Sequence, residues 1–122
     1  MNKYEKLFDD IATKTHNGDL NWKQISKTAH ADLIFNPDMS FRQYATVYKK
    51  GGKTYELVFV EKKTDDPHHD YAFQKYIPEV LVVGQNNELV TTLTDSVIDR
   101  DQMIDLVRTI EENSDSLSGL FD

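Results

Sequence analysis

Asp65, Asp66, His68, His69 and Asp70 crowd around Pro67 in the stretch TDDPHHD. Carboxylates and imidazoles at this density have the ligand chemistry for a divalent cation, or for acid–base work. The spacing argues the other way. On a strand, His68 and His69 would point to opposite faces, so only a loop brings both to one ion. A helical metal pair needs histidines about three or four residues apart. The stretch also lacks EF-hand spacing, with no turn glycine and no distal bidentate glutamate. It reads instead as a solvent-exposed loop between two strands, with Asp66-Pro67 starting the turn. Metal or small-ligand binding by Asp65–Asp70 stays as an alternative, and neither a metal nor a cofactor is expected.

Nucleophilic chemistry finds no foothold. The sequence has no Gly-x-Ser-x-Gly elbow and no cysteine. KKGGKT lacks the Gly-x-x-x-x-Gly-Lys pattern of a phosphate loop, and it joins two strands rather than a strand and a helix. Paired acids such as Asp9 and Asp10 fall on or near the polar side of a helix, where they are solvated. The expectation is a protein that is not an enzyme.

Charge is the more informative signal. The chain of 122 residues has a formal net charge of -7. From Asp95 to Asp122 there are eight acids and two bases, so that segment carries -6, and the rest carries -1. Such a segment repels phosphate backbones and anionic membranes, and favours a basic protein partner. The candidate partner-binding residues are therefore Asp99, Asp101, Asp105, Glu111, Glu112 and Asp115. Leu117, Leu120 and Phe121 join them as apolar anchors in the same segment. A solvated acidic helix that aids solubility is the competing reading.

These residues need elements to hold them. Tyr4, Leu7, Phe8, Ile11 and Ala12 recur at helical spacing, which predicts a helix over about residues 3–16. Asn2 can cap its start, and Gly18 suits a left-handed cap at its end. Trp22, the only tryptophan, is expected to plug one end of the core. FRQYATVYKKGGKTYELVFVEKK reads as a hairpin turning at Gly51-Gly52. A two-residue turn fixes the register, pairing Tyr48 with Tyr55, Thr46 with Leu57, Tyr44 with Phe59 and Arg42 with Glu61. That aromatic face is assigned to the core. EVLVV and ELVTTL flank GQNN as a second strand pair, with a bulge, break or edge expected at Pro78. Met103, Leu106, Val107 and Ile110 stripe a closing helix capped by Asp99.

No apolar run approaches the roughly 18 residues that span a bilayer. No secretory signal is expected, since the start of the chain has no apolar core region, and the expected location is the cytoplasm. Residues 1–113 are read as one α+β domain and 114–122 as a flexible acidic tail. The fold expected is two-layered: a four-stranded antiparallel meander with an N-terminal and a C-terminal helix packed on one face.

Lys14, Thr15, Gly18, Leu20 and Trp22 resemble a Lys-Thr-x-x-Gly-x-Leu-x-Trp pattern of small uncharacterised bacterial and phage proteins. Those proteins follow a helix with a β-meander and a closing helix. Many such proteins come from low-GC Gram-positive bacteria, their phages and their mobile elements, and the resemblance implies fold more than function. It carries over no catalytic residue. SLSGLFD also resembles the short peptides that dock into bacterial sliding clamps and end in Leu-Phe, although Ser116 stands where those usually have Gln. Together these features predict a non-enzymatic protein-binding module of inhibitor, immunity, anti-defence or adaptor type. A structural homodimer is a further alternative.

Overall fold

The computed structural model describes residues 2–36, 39–65 and 74–114, without the side chains of 64, 65, 74 and 75. Along the chain run α1 (Lys3–His16), β1 (Lys23–Ile25), β2 (Ser40–Lys50), β3 (Lys53–Asp65), β4 (Gln74–Val83), β5 (Leu89–Thr94) and α2 (Arg100–Asn113). The strands form one sheet in the order β1-β2-β3-β4-β5, antiparallel throughout. The α+β class and the meander stand. The strand count is corrected: among the described residues the sheet has five strands, not four. The addition is β1, only three residues long, which pairs Lys23 with Ala45 and Ile25 with Gln43.

α1 keeps its expected bounds because both ends are capped. The Glu5 amide donates to Asn2 Oδ1 at 2.9 Å. At the far end the Gly18 amide donates to the Thr15 carbonyl and the Asp19 amide to the Lys14 carbonyl. Gly18 sits at φ 78°, the left-handed conformation this cap requires. Thr15 Oγ1 then accepts from Trp22 Nε1 at 3.1 Å and donates to the Ile11 carbonyl at 2.8 Å. Leu20 and Trp22 are buried in the core. The Lys-Thr-x-x-Gly-x-Leu-x-Trp pattern is thus a helix stop that swings a tryptophan under the sheet. Gly18→Ala is expected to cost about 1 kcal/mol, because a Cβ is strained at that φ although the space is open. Urea denaturation of the variant checks it.

The β2–β3 hairpin has the expected register at every pair, from Tyr48 with Tyr55 to Arg42 with Glu61. Gly51 and Gly52, at φ 61° and 77°, make the turn. Tyr44, Tyr48, Leu57 and Phe59 share a buried cluster with Phe8 and Ile11 of α1 and with Met103, Leu106 and Ile110 of α2. Both helices therefore pack on the aromatic face. Pro78 is tolerated without a bulge: it pairs with Glu61, and the β5 ladder stops at Glu79, so β4 is an edge strand there. The irregularity lies instead between Val82 and Val83.

The opposite face is not bare. Val58, Val60, Leu81 and Val83 form a second buried cluster with Ile34, roofed by the loop after β1. A loop laid on an apolar face needs partners for its carbonyls. The sheet supplies them: Gln43 Nε2 donates to the carbonyls of Lys27 (2.9 Å) and Ala29 (2.7 Å), and Lys62 Nζ to that of Phe35 (3.0 Å). His30 Nε2 also meets Glu56 Oε1 at 2.8 Å. Neither described helix is long and apolar enough to cross a membrane.

Candidate functional site

α2 carries most of the predicted site residues, and the structure spreads them around it. Asp99 is the cap: its Oδ1 accepts from the Asp101 amide at 2.8 Å. Asp101 and Glu112 are exposed. Asp105 faces α1, with Oδ2 3.8 Å from His16 Nε2. Glu111 turns toward the sheet, with Oε1 3.7 Å from an Arg42 guanidinium nitrogen. Asp115, Leu117, Leu120 and Phe121 lie outside the described residues, as do Asp66, His68, His69 and Asp70 of the expected loop. Among the described residues no group of three or more metal-ligating side chains comes together. So the acidic helix is no single acidic face: Asp105 and Glu111 leave it in two directions.

Each direction opens on a concavity. Between α1 and α2 lies a groove of about 280 Å³. Phe8, Ala12 and Leu106 give it apolar character, while Glu5, Asp9 and Asp105 contribute three carboxylates. His16 is the one basic side chain in its lining, 51% exposed. Glu5 and Asp9 are four residues apart, so both rise on the same side of α1. Asp105 reaches the groove because it lies one residue before buried Leu106 on α2. Sequence reading named Asp105 as a partner-binding candidate but not Glu5 or Asp9, which line the same groove. Their helical spacing was the available signal.

The second concavity, of about 220 Å³, lies between α2 and the sheet. Glu61 is at its base and only 2% exposed. The alternation of β3 puts this carboxyl on the aromatic face, after Leu57 and Phe59. Arg42 Nε approaches Glu61 Oε2 at 3.5 Å, too far for a strong hydrogen bond. Burial, then the facing Glu111 carboxylate, pushes the Glu61 carboxyl up to about 8. Burial likewise raises Tyr76, which lines the same space. Glu111 and Glu112 sit at the negative end of the α2 dipole, whose last turn has no basic residue. Arg42 is what compensates Glu111. Sequence reading placed Arg42 and Glu61 as a cross-strand pair and Glu111 as a partner-binding candidate, without bringing the three together.

A third polar cluster is structural. Tyr48 Oη donates to Asp10 Oδ2, which also faces Lys14 and Lys50 at 3.4 and 3.9 Å. The tyrosine hydrogen bond, then the lysines, hold the Asp10 carboxyl below its ordinary value against the opposing effect of burial. This cluster ties α1 to the end of β2. Compared with protein-family models, with curated proteins and with solved structures, the chain finds no match.

Proposed function

We propose that this protein is a non-enzymatic binding module for a basic protein segment, of inhibitor, immunity, anti-defence or adaptor type. The observation that carries the reading is the α1–α2 groove, where Glu5, Asp9 and Asp105 surround an apolar lining of Phe8, Ala12 and Leu106. An arginine or lysine suits that combination: its stem packs on the apolar surface and its head meets carboxylates. The concentrated acidity of the C-terminal segment would speed the encounter. Asp101 and Glu112, both exposed, would contribute to this steering more than to contact.

The test is a pull-down with mass spectrometry from lysate of the source organism or its host. It compares wild type with a Glu5→Gln/Asp9→Asn/Asp105→Asn variant. A basic partner retained by wild type is expected to bind the variant at least about tenfold more weakly, with a shallower salt dependence. The three substitutions lie on exposed or half-exposed side chains, so the fold should persist, and circular dichroism verifies that. A partner held equally by both proteins at every salt concentration would remove the groove from the reading.

A further inference from the structure

The pocket on the sheet side of α2 has more cations than carboxyls in its lining. In a chain of net charge -7, its lining has three cations, Arg42, Lys63 and Arg108, against the carboxyls of Glu61 and Glu111. Lys63 and Arg108 make no ion pair among the described residues. Arg42 and Lys63 both stack on the Phe41 ring, at 5.0 and 4.4 Å from its centroid, which holds two positive heads near the pocket. Ile104 and Val107 of α2 add apolar wall.

Two polar atoms here are buried and have no hydrogen-bond partner among the described residues: Glu61 Oε2 and Tyr76 Oη. Buried polar groups are nearly always paired, so two orphans on residues that line one cavity point to a partner there. The tyrosine hydroxyl can donate. A donor and cations converging on one space call for an anionic acceptor. A divalent cation is disfavoured, since three positive side chains surround only two carboxyls. A phosphate dianion would bring two charges close to the Glu111 carboxylate and would leave the apolar wall unused. The volume of about 220 Å³ offers room for a small ligand.

We propose that this pocket, built by Arg42, Glu61, Tyr76 and Arg108, binds a small monocarboxylic acid with an apolar body. Its carboxylate accepts from Tyr76 Oη and pairs with Arg108, and its body lies on Phe41, Ile104 and Val107. The site is separate from the α1–α2 groove and does not depend on the reading given to that groove.

Benzoate is the probe, titrated into ¹⁵N-labelled full-length protein and followed by amide chemical shifts. Benzamide and inorganic phosphate are run in parallel. Benzoate is expected to saturate, with shifts around Arg42, Tyr76 and Arg108, and benzamide to bind at least about tenfold more weakly. Arg108→Ala, an exposed helix substitution, is expected to weaken benzoate about fivefold or more without unfolding the protein. Tyr76→Phe should weaken benzoate while raising the melting temperature of the free protein, because it deletes an unpaired hydroxyl. The proposal is overturned by no saturable shift up to about 20 mM benzoate. It is overturned equally by matching responses to benzamide or phosphate, or by benzoate binding that Arg108→Ala leaves unchanged.

Discussion

Between about pH 5 and about pH 8 the protein is expected to lose roughly 2–4 kcal/mol of stability, and a Glu61→Gln variant to lose much less. The Glu61 carboxyl, ordinarily at 4.5, is pushed up to about 8 in the folded chain. Through that window the native state keeps a proton that the unfolded chain has released. Raising the pH therefore favours unfolding. The stabilisation is complete below the unfolded value and gone above the folded one. The full shift corresponds to about 5 kcal/mol at most, a net figure in which Arg42 on β2 and Lys63 on β3 already favour the charged form. Glu111 of α2 acts in the opposite direction by repelling a second charge. Tyr44 and Tyr76, both raised, stay neutral throughout. Asp10 is lowered instead, so its contribution is lost only in acid, below this window. Glutamine keeps the shape and a donor toward Glu111 but cannot ionise. The variant should match wild type near pH 5 within about 1 kcal/mol and exceed it near pH 8.5. Urea denaturation of both proteins from pH 5 to 9 gives the two curves. Parallel curves would mean that Glu61 is solvated and ionised in solution.

Glu61 also shows where sequence reading reached and where it stopped. Its pairing with Arg42 followed from a two-residue turn and a period of two, both local. The α1 bounds followed from Asn2 and Gly18, again local. The arrival of Glu111 over Glu61 depends on how α2 rotates on the sheet, a long-range outcome that no short window encodes. A signal was nevertheless present: Glu61 continues the face of Tyr55, Leu57 and Phe59, so a carboxyl was bound to sit under whatever covered that face. β1 was missed because Lys23–Ile25 is too short to show a period. Its three residues matter beyond their length, since they launch the loop that roofs the second face. The same loop explains Lys62 and Gln43, polar residues facing an otherwise apolar cluster. They are there to hold loop carbonyls. The acids of α2 were legible as charge but not as geometry, because a helix distributes neighbouring residues around its axis.

Lys62→Met is expected to cost about 3–5 kcal/mol, and the double change Lys62→Met/Glu79→Leu far less. Lys62 is 2% exposed and its ammonium lies 2.6 Å from Glu79 Oε1 on the neighbouring strand. The same ammonium donates to the Phe35 carbonyl, so one side chain joins β3, β4 and the covering loop. Methionine fills similar volume but leaves Glu79, 8% exposed, as an uncompensated buried charge. That desolvation, rather than the lost attraction, dominates the loss. Replacing both partners by apolar groups removes the charge altogether, and such exchanges are often neutral or stabilising by about 1–4 kcal/mol. Here the gain is offset because the Phe35 carbonyl loses its donor, at about 1 kcal/mol. The double variant should therefore lie within about 2 kcal/mol of wild type. Its loop should nonetheless be looser, since its anchor on β3 is gone, while Gln43 still holds Lys27 and Ala29. Denaturation of the two single variants and the double gives the coupling energy, and hydrogen exchange of residues 31–36 gives the loop. A cost below about 1 kcal/mol for Lys62→Met would show that water reaches Glu79, and that the loop does not seal this face of the sheet.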